Sequence, residues 1–132
     1  MAQRRAECSC GGLVAVCAGD PMRISVCHCL NCKRRTGSAF GVTAWYGGDQ
    51  VTLSGSSKAY ERIGDEGGRA TFRFCPVCGT TVAWTIDRMP GRTAVAVGAF
   101  ADPGFPPPRV SVYEQRRCAW VDIDVPGLER WD

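Results

Sequence analysis

Two cysteine pairs set far apart in the chain, Cys8-Ser9-Cys10 and Cys75-Pro76-Val77-Cys78, constrain the fold more than any other feature of the sequence. Together they offer four thiolates, the number that closes a tetrahedral site around Zn²⁺. A metal held by both pairs ties the N-terminus to the middle of the chain and adds its binding free energy to folding. Glycine follows each pair, at Gly11 and Gly79, and lets backbone N–H groups turn toward the sulfurs. A second group, Cys27-His28-Cys29-Leu30-Asn31-Cys32, packs three more thiolates into one short stretch. Three ligands leave one tetrahedral corner open, the arrangement of a catalytic zinc. A disulfide with a spare thiol, or a structural site completed from elsewhere, competes for the same spacing.

Chain length and cysteine count bound the class. At 132 residues, with 45% hydrophobic, the sequence reads as one domain with a core of its own, covering 1–132. Nine cysteines would mean disulfides outside the cell. Met1 to Cys10, however, carries Gln3, Arg4, Arg5 and Glu7 and no apolar export segment. No stretch is long enough to be a membrane span. The expectation is a cytoplasmic protein in which clustered cysteines bind metal. A net charge of +3 falls short of a dedicated nucleic-acid surface but suits a small anionic ligand.

Short apolar runs punctuated by Gly and Pro read as many short strands. Strands are expected at Gly12–Ala18, Met22–Cys27, Ala39–Tyr46, Arg69–Phe74, Thr80–Ile86 and Thr93–Phe100, with Val110–Glu114, or on to Trp120, closing the sheet. Val51–Leu53 and Lys58–Ile63 read as a hairpin, and Gly64–Gly68 as a polar loop. Cys29–Thr36 reads as a helical turn ended by Gly37, and Pro103–Pro108 as a rigid extended loop. Helix signals are otherwise scarce and the connections short, so the class is mostly β with antiparallel pairing.

Alternation places Cys27 and Cys29 on one side and His28, the sole histidine, on the other. His28 is therefore expected to anchor the loop rather than bind metal. Cys17, in an apolar strand, reads as a small buried hydrophobe. Cys118, beside Arg116 and Arg117, reads as an inert thiol near a strand end, with a reactive thiolate as the alternative.

Three motifs in order give the chain a family resemblance: Cys8-Ser-Cys10-Gly-Gly, Cys27-His-Cys29-Leu-Asn-Cys32-Lys-Arg-Arg-Thr-Gly-Ser-Ala-Phe40, and Phe74-Cys75-Pro-Val-Cys78-Gly-Thr. With the weaker Val97-Gly-Ala-Phe100 piece, the chain resembles the GFA family over nearly its whole length. These are the glutathione-dependent formaldehyde-activating enzymes, a family that includes the centromere protein V domain. The resemblance implies coiled antiparallel β-sheets stapled by zinc. It also implies a structural zinc at Cys8, Cys10, Cys75 and Cys78 and a catalytic zinc at Cys27, Cys29 and Cys32. The chain departs from the family after the proline loop, where Pro108-Arg109-Val110 stands in place of a frequent histidine.

The function expected from these features is carbon–sulfur lyase chemistry. A thiol such as glutathione adds to formaldehyde or another small aldehyde and gives an S-hydroxymethyl adduct. Arg34 and Arg35 are candidates to grip a carboxylate of the cosubstrate, with Thr36 and Ser38 as hydrogen-bond donors. Phe40 and Trp45 read as core packing before pocket wall. One alternative is a non-catalytic zinc-binding interaction module. Another is a cysteine-based reductase of the methionine sulfoxide reductase B kind, centred on Cys118.

Overall fold

The computed structural model describes residues 2–64 and 67–132. In chain order the strands are β1 (Gln3–Glu7), β2 (Val14–Ala18), β3 (Arg23–Cys27), β4 (Gly41–Gly47), β5 (Val51–Ser54), β6 (Lys58–Ile63), β7 (Arg69–Phe74), β8 (Thr81–Ile86), β9 (Arg92–Ala96), β10 (Val110–Val112) and β11 (Glu129–Arg130). A single α-helix, α1 (Leu30–Thr36), interrupts them between β3 and β4 among the described residues. The strands form two sheets. The smaller has the order β1-β2-β5, and the larger has the order β11-β10-β3-β4-β9-β8-β7-β6. The class is mostly β, as the Gly- and Pro-punctuated runs imply. No helix among the described residues is long and apolar enough to cross a membrane.

Three features differ from the sequence reading. Gln3–Glu7 is a strand, although its QRRAE sequence has no apolar alternation. It lies at a sheet edge, buries only Ala6 and pairs along its length with β2, from Gln3↔Ala18 to Glu7↔Val14. Polar side chains are tolerated at such an edge. Val51–Leu53 and Lys58–Ile63 do not pair with each other. The first joins β2 in the small sheet, and the second joins β7 in the large one. The chain crosses between sheets here, and Gly55 permits the crossing with a φ of +93°. Finally, β10 runs parallel to both β3 and β11, whereas the other ladders are antiparallel. The long connection from β9 supplies the reach that a parallel return needs. Strand geometry stops at Val112 because Tyr113 takes a left-handed φ of +56°.

The expected strand over Thr93–Phe100 is β9 followed by a 3-10 turn at Val97–Phe100. Of the expected polar loop at Gly64–Gly68, Asp65 and Glu66 lie outside the described residues.

The core has two layers because the large sheet is covered on both faces. One face packs against the small sheet, with Ala6, Leu13, Ala15 and Cys17 meeting Ile24, Tyr46, Val82 and Val95. The opposite face carries Trp45, Ala70, Phe72, Trp84 and Ala94. Cys17 is fully buried, as expected of a small hydrophobe, and burial pushes its thiol pKa up to about 11.

Gly55 tests the crossing between sheets. A Cβ there would collide with the Gly12 carbonyl oxygen, in a backbone region that L residues avoid. Gly55→Ala is expected to lower unfolding free energy by about 3 kcal/mol or more, since strain and overlap add. Gly91→Ala is the control, with a similar φ of +75° but open space around the added methyl. It should cost about 1 kcal/mol, and denaturant titration of both variants measures the difference.

Candidate metal centres and the adjoining cavities

The β1–β2 turn and the β7–β8 turn bring Cys8, Cys10, Cys75 and Cys78 together, with all four sulfurs within 4.8 Å of one another. Cys10 Sγ lies 3.7 Å from Cys8 Sγ and 3.6 Å from Cys75 Sγ. Those spacings fit the ~3.8 Å edge of a tetrahedron with metal–sulfur bonds of ~2.3 Å. Fixed donors surround the sulfurs. The backbone N–H of Leu13 donates to Cys8 at 3.1 Å, and that of Val77 donates to Cys75 at 3.4 Å. Thr80 Oγ1 accepts from the Ser9 N–H at 3.1 Å and donates to Cys78 Sγ at 3.4 Å, linking the two turns. That hydroxyl is the main reason Cys78 is drawn down to about 5, with backbone donation from the same residue next. The donor set is soft, and the thiolate of Cys78 is stabilised by its neighbours. The Gly12 N–H draws Cys10 down, but its bonds to Cys75 and Cys8 outweigh it and hold that thiol up, to about 11. The residues fit a structural metal ion.

Cys27, Cys29 and Cys32 form the other group, also with all sulfurs within 4.8 Å. Each position follows from local structure. Cys27 ends β3, and Cys29 is the N-cap of α1. Its sulfur accepts the Cys32 N–H at 3.2 Å, in the way a capping oxygen does. Cys32 sits one turn along on the same side. Hydrogen bonds from the Cys27 and Cys32 thiols, then from the helix-start N–H groups, draw Cys29 down to about 2. Cys27 moves up in consequence, held protonated by its bonds to the Cys29 and Cys32 sulfurs and by burial. One thiolate is thus preformed and two thiols await a metal to displace their protons. Three ligands on one side of a helix start fit an ion that keeps a further position for another molecule.

His28 points away from the cysteine sulfurs, as alternation implies. Its ring is fully buried. Its backbone N–H donates to the Val112 carbonyl at 3.1 Å. Its Nε2–H donates to Ser111 Oγ at 3.0 Å, and the Ser111 hydroxyl donates to Glu114 Oε2 at 2.5 Å. Arg117 and Arg130 close on the same carboxylate at 3.2 and 3.6 Å. Burial holds His28 below its usual pKa. Burial pushes Glu114 upward, but the Ser111 bond and the surrounding cations outweigh it and leave the carboxyl low. The sequence shows only the histidine. Its partners arrive from β10, eighty-three residues later.

The three cysteines open on a cavity of about 410 Å³. The β3–β4 ladder builds its floor in cross-strand pairs: Arg23 with Trp45, Ser25 with Thr43, and Cys27 with Gly41. Arg62, Arg69 and Arg116 line it as well. Arg23, Ser25 and Thr43 were not singled out from the sequence. The signal was present, because residues two and four before Cys27 share its strand face.

Arg34 and Arg35 lie on the far side of α1 and line a second cavity of about 500 Å³ that also touches Asn31 and Cys32. Arg35 stacks on Trp84, with 4.2 Å from its guanidinium carbon to the ring centre. Thr36 and Ser38 line neither cavity. The Thr36 hydroxyl donates to the Cys32 carbonyl at 2.8 Å and accepts the Ser38 N–H at 3.2 Å, which completes the helix end. Phe40 is half-buried against the His28 ring at 5.9 Å and outside both core layers, whereas Trp45 packs in the second core layer, as expected, and also lines the cysteine cavity. Cys118 lies apart from both cysteine groups, with Lys33 Nζ donating to its sulfur at 3.3 Å.

The two groups should respond differently to ligand loss. Cys75→Ala is expected to leave a chain unfolded at 37 °C, since structural zinc sites contribute ~10–16 kcal/mol against a typical domain stability of ~5–15 kcal/mol. Cys29→Ala should retain a cooperative melt and its β-type circular dichroism.

The family model described as glutathione-dependent formaldehyde-activating enzyme matches residues 3–116. No curated protein matches the chain. A crystal structure of a Rhodobacter sphaeroides protein resembles it with a TM-score of 0.59. That protein shares 17% identity, over 97% of this chain and 99% of the other, which speaks to the fold. The family match spans both cysteine groups and the strands that carry them, and the chain belongs to the GFA family.

Proposed function

We propose that the chain is a zinc-dependent carbon–sulfur lyase-type enzyme that promotes addition of a thiol, such as glutathione, to formaldehyde or another small aldehyde. The observation that carries this reading is the position of Cys27, Cys29 and Cys32. Their sulfurs converge at the wall of a cavity large enough for a small organic molecule. In this reading Cys8, Cys10, Cys75 and Cys78 hold a structural zinc, and Cys27, Cys29 and Cys32 hold the catalytic one. Zinc bound by three thiolates supplies a Lewis acid with an open position for a thiol sulfur or a carbonyl oxygen.

The chain's own residues do the rest. The cavity carries Arg23, Arg62, Arg69 and Arg116 among its lining, and this positive field attracts an anionic thiol. Arg69 is partly neutralised by Glu61 at 3.8 Å. Ser25 and Thr43, paired next to Cys27 on the ladder and lining the same cavity, are the hydroxyls available to donate to a developing alkoxide. The thiol proton leaves as the carbon–sulfur bond forms, and the aldehyde oxygen ends as a hydroxyl. His28 takes no part in that transfer, because its ring is buried and its Nε2–H is held by Ser111. It keeps the cysteine loop in place instead. Holding both reactants in one cavity supplies the orientation that an already facile addition lacks in solution.

Cys29→Ala tests the proposal. Metal analysis of reduced protein should fall from two zincs per chain to one, counting the two cysteine groups. Thiol–aldehyde exchange, followed by NMR line broadening of the adduct, should return to the uncatalysed rate. Wild-type exchange in a variant that has lost the second metal would sink the mechanism.

A further inference from the structure

We propose that Lys33 and Cys118 form a capture site for formaldehyde, in which a single carbon comes to bridge the lysine nitrogen and the cysteine sulfur. The inference rests on the thiol–aldehyde reading for the source of the aldehyde, and on separate observations for the site.

The chain leaves few groups that could react in this way. Of the nine cysteines, seven belong to the two metal groups and Cys17 is fully buried. Cys118 is half-buried and lies outside both groups. Amines are rarer still, because Lys33 and Lys58 are the only lysines among 16 Lys and Arg residues. A guanidinium keeps its charge and does not act as a nucleophile here, whereas a lysine amine condenses with carbonyls. One of the two lysine amines therefore stands against the one thiol that is neither a metal ligand nor sealed in the core.

Both atoms are held in place. Lys33 Nζ donates to the Arg116 carbonyl at 2.6 Å and to Cys118 Sγ at 3.3 Å. Lys33 comes from α1, and the carbonyl comes from the 3-10 turn Glu114–Arg116 that follows β10. On the thiol side, the Val121 N–H donates to the Cys118 carbonyl at 2.9 Å and closes the turn that carries the sulfur. The two nucleophiles face each other across a gap that one carbon atom spans, and formaldehyde adds no substituent to that carbon. Positioning of this kind makes the second bond-forming step effectively intramolecular. The pair also stands beside the cysteine cavity, since Cys32, the residue before Lys33, and Arg116 both line it.

The chemistry balances without an oxidant or reductant. The Cys118 sulfur bonds to the formaldehyde carbon as the carbonyl π bond opens, giving an S-hydroxymethyl group. The Lys33 nitrogen then bonds to the same carbon as the carbon–oxygen bond breaks. The thiol proton and one amine proton leave with that oxygen as water. The bridge fastens α1, which carries Cys32, to the turn that anchors His28, and joins positions 85 residues apart.

Mass spectrometry tests the site directly. Zinc-loaded protein, freed of small thiols, is incubated with an equimolar amount of formaldehyde and mapped at neutral pH. The wild type should gain the mass of one carbon atom, in a linked pair of peptides containing Lys33 and Cys118. Its melting temperature should rise, as expected of a long-range cross-link. Lys58, exposed on the edge strand β6, should carry at least about tenfold less adduct. Lys33→Arg and Cys118→Ser should each abolish the linked pair while keeping wild-type metal content and thiol–aldehyde exchange. Absence of the linked pair, adduct spread evenly over Lys33 and Lys58, or a Lys33 adduct that persists in Cys118→Ser would overturn the proposal. Because formaldehyde is added directly, a bridge in protein that shows no exchange refutes the lyase reading alone. Exchange without a bridge refutes the capture site alone.

Discussion

Convergence of four sulfurs from two distant turns is the constraint on which the rest of this structure depends. The β1–β2 turn belongs to the small sheet, and the β7–β8 turn belongs to the large one. Between the sheets the core mixes small residues such as Ala6, Ala15, Cys17 and Ala44 with the larger Leu13, Ile24, Tyr46, Val82, Val95 and Phe100. The sulfur quartet supplies a fixed point at one end. Thr80 shows how closely the two turns are fitted, because one hydroxyl serves a backbone N–H of the first turn and a sulfur of the second.

The open cysteine group is built on the opposite principle. Its ligands come from one strand end and one helix start, within a single local segment. What it needs from afar is a rigid support, which β10 provides through Ser111 and Val112 and the turn after it through Glu114. A buried histidine donating to a serine that itself donates to a carboxylate has each hydrogen placed in one direction only. Such a chain resists rotation of the loop carrying Cys27 and Cys29. Gly41, across the ladder from Cys27, makes the remaining room. Its missing side chain is what lets Arg35 and Cys32 settle over the strand.

How much of this was legible in the sequence follows from the range of each interaction. The cysteine partition was readable because ligand spacing is a local pattern and tetrahedral closure needs only a count. The short helix after Cys29 and its stop at Gly37 were readable for the same reason. Strand β1 was hidden because an edge strand needs no apolar alternation. The partners of β5 and β6 were misassigned because nearness in sequence favours a hairpin, while Gly55 sends the chain to another sheet. Strand β10 was expected, but its parallel pairing was not, since direction depends on where a long loop returns. Thr36 illustrates a limit of residue type. A hydroxyl beside the ligands suggests a substrate donor, yet the helix end takes it first.

The parallel pairing of β10 with β3 also sets an order of assembly. Residues 8–78 contain every ligand of the sulfur quartet, so that site is complete in composition before the last third of the chain exists. The loop holding Cys27 and Cys29 has its serine partner eighty-three residues beyond His28, a separation that makes its docking a late, slow event in folding. During synthesis the three thiols of that loop are therefore carried on an unanchored segment while the quartet can already close. The chain can close its sulfur quartet first, and the three-cysteine group is finished only when the strand that anchors its loop is in place.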